Sequence, residues 1–319
     1  MNVAIFSFSS LIQRRILSAL KAVFPDFTAT IFTRRNHESL GTDSLKFFGH
    51  IKFAERSSFN SSQNRLNFDF AYVSSANSNH YQDLLDCSFA GLNTIVDKPA
   101  FINLENFQEI FQKFQSNKLL LFEAVAWTYH NQVNLFEHFQ GQAGRLSAFS
   151  LFTIPSPTST NFRSFDSSGS GVLHDMWSYA YSTACLLNLQ DTLQIKSSNL
   201  QRGDHPQWFT CYSSNEVRDY QGIFGFGFPY NNTMIFSGTS GSLSSERIFT
   251  SDPLQPVKVS LKVNTLLESV EYTSDAFANM LHYFLRIANG DNSEREAYLD
   301  RLESRYRSNF FSTLIRFHK

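Results

Sequence analysis

Residues 68–99 read FDFAYVSSANSNHYQDLLDCSFAGLNTIVDKP. Phe68 to Val73, apolar except for Asp69, is expected to form a strand. A helix is expected from about Asn79 to Ala90, and Gly91 is placed to end it. Asn93 to Val96 is a second strand. Strand, helix and strand in this order make a parallel βαβ unit.

The alternation extends in both directions. Val3-Ala4-Ile5-Phe6 is a continuous apolar run. Leu11, Ile16, Leu20 and Val23 have helical spacing within 10–23, and Ala29 to Phe32 is a strand. Downstream, a helix covers 103–116 and Leu119 to Phe122 is a strand. The expectation for residues 1–122 is an α/β domain with a doubly wound parallel sheet. Ligands of such sheets sit at the carboxyl ends of the strands. Ser7, Thr33, Ser74 and Asp97-Lys98 fall at those ends.

After residue 122 the pattern changes. A helix near 131–140 leads to a strand at 146–153, a Ser/Thr/Pro-rich loop at 155–170 and a helix at 172–187. Strands are expected at 207–213, 222–228, 232–237 and 257–263. They read as one open, mostly antiparallel sheet, so residues 123–319 are expected to form an α+β domain. In 223–228, Ile223, Gly225 and Gly227 share one face and Phe224, Phe226 and Phe228 the other. No helix follows these glycines, so they are not a phosphate loop. Gly238 to Gly241 reads as a turn. Phe277, Met280, Leu281, Phe284 and Ile287 form a helical core stripe, and the last helices can pack back on the first domain.

Bulk properties narrow the function. The 319 residues suffice for two cores, and a formal net charge of −1 gives no broad attraction to nucleic acid or anionic membrane. Charged residues are 17% and aromatics 15%, with 34 Phe, which reads as compositional drift rather than as a special aromatic surface. Three widely spaced cysteines, Cys87, Cys185 and Cys211, fit reduced thiols in a cytoplasmic protein. The histidines show no HxxxH spacing and the cysteines no CxxC, so no metal site is expected. The first strand begins at Asn2 or Val3, so no leader is expected, and no apolar run is long enough for a membrane span.

Four separated segments carry a family resemblance. Asp69 to His80 is similar to a segment ending T-P-N-x-x-H. Ala90-Gly91 followed by Ile95-Val-Asp-Lys-Pro99 is similar to A-G-K-x-V-x-x-E-K-P, with Asp97 keeping the carboxylate. Phe122-Glu123-Ala124 with Tyr129-His130 is similar to the opening of a second domain. Asn161-Phe162-Arg163, Ser168-Gly-Ser-Gly171 and His174-Asp175 through Tyr179 are similar to W-R followed by G-G-G-x-x-x-D-x-x-x-[YH]. Together they resemble the Gfo/Idh/MocA family, the glucose-fructose oxidoreductase and inositol dehydrogenase group.

The resemblance implies an N-terminal Rossmann domain for dinucleotide and a C-terminal domain for substrate and oligomerisation. It implies an NAD(P)-dependent oxidoreductase acting on the CH–OH group of a sugar or nucleotide-activated sugar, with a place in surface polysaccharide synthesis as one setting. It further implies a homodimer or homotetramer. Ser7, Ser9, Ser10, Leu11, Thr33, Arg34, Arg35, Ser75, Asn77, His80, Asp97 and Lys98 would line the cofactor. Lys98, Arg163, His174, Asp175 and Tyr179 would meet the substrate. Lys98 would bond the reacting oxygen, Tyr179 would give or take the proton, and Asp175 would orient the substrate. These types suit the chemistry. Hydride leaves a carbinol carbon only as its hydroxyl proton departs, so a base must be within reach. A nearby ammonium lowers a tyrosine's pKa and stabilises developing alkoxide charge. Asp175 and Tyr179 are four residues apart on an expected helix and share a face. Plainer readings stand beside these: Tyr179 as a buried helix residue, His174 as a core or surface histidine, Arg163 as a loop stabiliser.

One segment departs from the family. Its first turn reads G-x-G-x-x-[GA], where this chain has Ser7-Phe8-Ser9-Ser10-Leu11-Ile12. Glycines there permit positive φ and close approach to pyrophosphate, and the third small residue permits close helix–strand packing. Serine can offer a hydroxyl to phosphate, but a left-handed conformation would cost it roughly 1 kcal/mol. Ile12 is expected to push the helix from the sheet. The second strand ends Phe32-Thr33-Arg34-Arg35 with no carboxylate for a ribose 2′-hydroxyl. Thr33 and Arg34 could hold a 2′-phosphate, which favours NADP over NAD, or form an ordinary basic loop. The eroded glycine loop also leaves a second function open, a dinucleotide-sensing regulator or scaffold without turnover. A third, a glycosidase that oxidises its substrate transiently, has no residue that selects it.

Overall fold

The computed structural model describes residues 1–35, 45, 48, 50–60, 67–158, 171–200, 206–290 and 292–307. Arg163 and residues 168–170 of the glycine-rich turn lie outside them. The described chain divides into two compact units, Met1–Ala124 with Phe277–Arg307, and Val125–Ala276.

The first unit is built on a six-stranded sheet in the order β3-β2-β1-β4-β5-β6. The strands are β1 (Asn2–Phe6), β2 (Thr28–Thr33), β3 (His50–Glu55), β4 (Phe70–Val73), β5 (Thr94–Asp97) and β6 (Leu121–Ala124). Every pairing is parallel. The order reverses between β1 and β4, where doubly wound sheets open a crevice for ligands. Val3 to Phe6 and Phe70 to Val73 are buried at every position, as expected of strands covered on both faces. The sheet's helices are α1 (Leu17–Val23), α2 (Asn77–Phe89) and α3 (Leu104–Ser116). Gly91 ends α2 at φ +73, with its own N–H donating to the Ser88 carbonyl and the Leu92 N–H to that of Cys87.

Two features differ from the sequence reading. β3 was not anticipated: it is an edge strand whose residues are exposed or half-buried, so its apolar signal is thin. The helix after β1 opens as a π-helical turn, Ile12–Ile16, with Ile12 wholly buried. The isoleucine is accommodated in the core within this π-helical turn.

Phenylalanine fills this core. Phe59 meets Phe6 and Phe32 edge-on, at 4.7 and 5.0 Å between ring centroids. The unit is completed from the end of the chain by α6 (Ala276–Asn289) and α7 (Asn292–Arg307). Phe284 of α6 packs on Phe70 and Phe122, and Tyr298 of α7 stacks on Phe122 at 4.7 Å and 9°.

The second unit carries an eight-stranded sheet in the order β14-β13-β12-β11-β7-β10-β9-β8. These are β7 (Leu146–Ile154), β8 (Gln194–Asn199), β9 (Gln207–Ser214), β10 (Arg218–Phe226), β11 (Asn231–Gly238), β12 (Gly241–Glu246), β13 (Val257–Val263) and β14 (Leu266–Tyr272). Only β7 and β10 pair in parallel, and all other pairs are antiparallel. Helices α4 (Gln132–Gln142) and α5 (Val172–Leu186) belong to this unit. Along β7, Ala148, Ser150 and Phe152 are buried while Ser147, Phe149 and Leu151 are exposed or half-buried, so one face is covered and the other open. β8, β12 and β14 are additional to the expected strands. β10 stops at Phe226 because Gly227 turns away at φ +86, which removes Gly227 and Phe228 from the expected alternation.

Candidate functional site

The carboxyl ends of β1, β2, β4 and β5 gather most of the expected cofactor residues. Ser7 follows β1 with φ +79, the left-handed conformation that a glycine would take without strain. Its N–H donates to the Phe32 carbonyl at 2.8 Å, which fixes the turn to β2. Ser9 is absent from the positive-φ residues and has another job. Its Oγ accepts from the Ile12 N–H at 3.1 Å, so it caps the π-helical turn. The same Oγ lies 2.7 Å from Ser74 Oγ. Ser74 Oγ donates to Asp97 Oδ2, and Tyr72 Oη donates to Asp97 Oδ1 at 2.8 Å. A hydroxyl has one proton. Ser74 spends its proton on Asp97, so Ser9 spends its own on Ser74. The Ser9 hydroxyl therefore links β1 to β5 rather than offering a proton to phosphate. Ser10 is exposed, and its carbonyl accepts from Arg14 Nε at 3.2 Å, while Leu11 is half-buried.

Asp97 closes this chain of bonds. Burial pushes its carboxyl above the ordinary range, while the bonds from Ser74 and Tyr72 and the nearby His80 and Lys98 pull it back. Lys98 is half-buried and precedes a cis Lys98–Pro99 bond.

At the end of β2, Thr33 is buried and its Oγ1 accepts from the Arg35 N–H at 3.0 Å. Arg35 is exposed. Arg34 is 47% exposed and reaches Asp83 Oδ1 at 3.1 Å. Asp83, on α2, has no exposure, accepts from Arg56 Nε at 2.8 Å, and takes the Ser75 hydroxyl at 2.6 Å. Arg56 also bonds Asp86 and lies over the Phe6 ring at 4.7 Å. Asp83 thus keeps a buried arginine whether or not Arg34 is in place. Arg56 and Asp83 were missed in sequence because Arg56 follows the unanticipated β3.

Asn77 begins α2 and is buried. His80 is wholly buried, its ring nitrogens 3.0 Å from the Pro99 carbonyl oxygen and 2.9 Å from that of Ser75. A neutral imidazole carries one N–H and donates to one of these two carbonyls, so the ring sits between the β4 and β5 ends and bonds one of them.

The expected substrate residues of the second unit lie on α5, which begins after Gly171 at φ +104. Asp175 is buried in its first turn and its N–H donates to the Gly171 carbonyl at 3.0 Å. Tyr179 is half-buried, its ring 5.0 Å from Phe152 edge-on and 5.1 Å from Phe249. His174 is half-buried. Among the described residues no group of His, Cys, Asp and Glu could hold a metal ion. No described helix is long and apolar enough to cross a membrane.

No protein-family model and no curated protein sequence matches the chain. Solved structures do. KijD10, a 3-ketoreductase from Actinomadura kijaniata in complex with NADP and TDP-benzene, is 20% identical over 94% of each chain, with a TM-score of 0.79. Aldose-aldose oxidoreductase from Caulobacter crescentus, complexed with glycerol, is 14% identical over 97% of each chain, with a TM-score of 0.73. Biliverdin reductase from Synechocystis, in complex with biliverdin and NADP+, is 14% identical over 96% of each chain, with a TM-score of 0.72. The likeness spans both units and establishes the fold: a Rossmann-like parallel sheet followed by a separate, mostly antiparallel one.

Proposed function

We propose that this chain is an NADP-dependent oxidoreductase of the Gfo/Idh/MocA type. It would transfer a hydride to or from a carbinol or carbonyl carbon of a sugar or nucleotide-activated sugar. The observation that carries the reading is that Lys98 stands at the carboxyl end of β5, next to the strand-order reversal, with Arg34 and Arg35 exposed at the end of β2. The structural neighbours support it: one is a 3-ketoreductase with NADP and TDP-benzene, another an aldose-aldose oxidoreductase.

The residues present fit an NADP-type group. Two exposed cations and a buried threonine end β2, and the Asp83 carboxylate that Arg34 reaches is already paired with Arg56. Ser7, Ser10 and Leu11 would flank the pyrophosphate through backbone, and Ser75 and Asn77 would line the cofactor from the end of β4 and the start of α2. The bound cofactor supplies or accepts the hydride. Lys98 would hold the substrate oxygen and offset the negative charge that develops on it. Tyr179 would give or take the hydroxyl proton, and Asp175, with His174 and Arg163, would orient the substrate. Asp97 would keep Lys98 in place as its neighbour in sequence. The open face of the second sheet, with Ile223 and Ile235 each 37% exposed, supports a homodimer or homotetramer.

Fluorescence titration of the purified protein with NADPH and NADH tests the cofactor. Saturable binding that is tighter for NADPH, with the preference lost in Arg34→Ala, is the expected result. Loss of turnover in Lys98→Ala and Tyr179→Phe on a sugar substrate found by screening would complete it. Full turnover in both variants would refute the assigned chemistry. The glycine-less first turn favours one rival, a dinucleotide-sensing regulator or scaffold without turnover. Binding without turnover across the sugar screen would select it.

A further inference from the structure

The Lys98 turn is held by more of the protein than the strand that carries it. Four consecutive residues, Lys98 to Phe101, leave the sheet at β5. Two of their backbone N–H groups are buried and must find acceptors. The Ala100 N–H donates to Glu123 Oε1 at 3.0 Å and lies 3.1 Å from Tyr306 Oη. The Phe101 N–H reaches the same Oη at 3.3 Å. Tyr306 Oη in turn donates to Glu123 Oε1 at 2.8 Å. Arg305 faces the other carboxylate oxygen, Oε2, at 2.5 Å. His80 Nδ1 lies 3.0 Å from the Pro99 carbonyl oxygen.

Tyr306 is itself fixed. It is buried, stacks on Phe107 at 4.7 Å and 16°, and receives the edge of Phe101 at 5.3 Å. Burial and the neighbouring Glu123 push its phenol well above the ordinary range, so it remains a donor to the carboxylate. Glu123 is on β6 and Tyr306 on α7, 183 residues apart in sequence.

We propose that Tyr306 and Glu123, with His80 opposite, are the positioning residues of Lys98, so that the last described helix is a working part of the site although it touches no reacting atom. The proposal rests on the reading of Lys98 as the residue that holds the substrate oxygen. The position of a lysine ammonium on a flexible stem depends in part on the backbone that carries it. A hydroxyl shared between two turn N–H groups and one carboxylate supplies that rigidity. Removing the hydroxyl leaves the ring stacking intact and frees the Phe101 N–H.

The test is NMR of the full chain with its lysines reductively 13C-methylated, without cofactor or substrate. The Lys98 resonance is identified by its loss in Lys98→Arg. In Tyr306→Phe it should move by more than its linewidth and titrate at a shifted pH. Tyr298→Phe is the control, because Tyr298 is on the same helix and its Oη accepts from the Glu123 backbone N–H at 2.8 Å, so it disturbs the Glu123 main chain while leaving the carboxylate and the turn N–H groups bonded. It should leave the Lys98 resonance in place. His80→Asn, which loosens Pro99 from the other side, should move it again. An unmoved Lys98 resonance in both Tyr306→Phe and His80→Asn, or equal movement in Tyr306→Phe and Tyr298→Phe, would overturn the proposal. The spectra need no turnover, so a failed enzymatic reading would show separately, as full activity in Lys98→Ala.

Discussion

Two serines stand where the related loop has glycine, and replacing each by glycine should move stability in opposite directions. Ser7 is at φ +79. A left-handed conformation costs an L-residue about 1–2 kcal/mol, and glycine recovers that cost. Glycine also enlarges the unfolded ensemble, at about 0.4–1 kcal/mol. The net expectation for Ser7→Gly is a gain of about 0.5–1 kcal/mol. Ser9 is not in the left-handed region, so no strain is relieved there. Ser9→Gly loses the cap on the Ile12 N–H, at a few tenths of a kcal/mol when glycine replaces serine. It also loses the bond to Ser74, at about 0.5–1.5 kcal/mol, and adds the same unfolded-state term. The expected loss is about 1–3 kcal/mol.

For a cooperative unit of this size 1 kcal/mol corresponds to about 2–4 °C in Tm. Scanning calorimetry should therefore raise the transition of the first unit by about 1–4 °C in Ser7→Gly and lower it by at least about 2 °C in Ser9→Gly. Ser7→Ala separates the two contributions, since alanine keeps the strain and should not reproduce the gain. A fall in Tm for Ser7→Gly, or the same sign for both glycine variants, would refute the assignment of strain to position 7 and of bonding to position 9.

Other outcomes follow from the buried polar groups. Asp97 has its carboxyl raised, so its ionisation opposes folding: the stability of the native protein relative to Asp97→Asn should be greatest below about pH 4 and decline as pH rises through the raised value. Paired urea melts at pH 4 and pH 7 check this, and a difference that grows with pH would contradict it. Burial pushes the Cys211 thiol up to about 12 and the Cys87 thiol higher still, so neither should react with Ellman's reagent at pH 8 before guanidinium is added. Glu123→Ala strips the partner from the nearly buried Arg305 and should cost about 3–5 kcal/mol in denaturant melts. Glu294→Ala breaks a pair with the exposed Arg286 and should cost at most about 1 kcal/mol.

The parts of the fold that could be read in sequence are those whose burial leaves a mark on composition. Val3 to Phe6 in β1 and Phe70 to Val73 in β4 are buried at every position and read as continuous apolar runs, while β2, β5 and β6 are shorter apolar stretches interrupted by a threonine or a carboxylate. β3 and β14 are edge strands, and their half-polar sequences resemble loops; every position of β14 but the last is exposed. β12 reads Gly-Ser-Leu-Ser-Ser-Glu and is a strand only because β11 and β13 pair with it on either side. Strands of this kind take their conformation from neighbours rather than from their own side chains.

The candidate site divides in the same way. That Lys98 ends a buried strand, that Asp175 and Tyr179 share a helix, and that the first loop lacks glycine are all local facts, and one stretch of chain states each of them. What surrounds those residues is non-local. Ser9 meets Ser74 across 65 residues, Arg56 meets Asp83 across 27, and the Ala100 N–H meets Tyr306 across 206. The sequence by itself determined the plan of a parallel sheet followed by a mostly antiparallel one, and the identity of the groups available for chemistry, because hydrophobic periodicity and side-chain type are properties of the linear chain. Only the tertiary structure decided that Ser9 serves the sheet, that Arg34 leans on a carboxylate already paired, and that a helix from the end of the chain holds the Lys98 turn. Buried donors and acceptors must be matched in space, and the chain finds the partner wherever folding brings it.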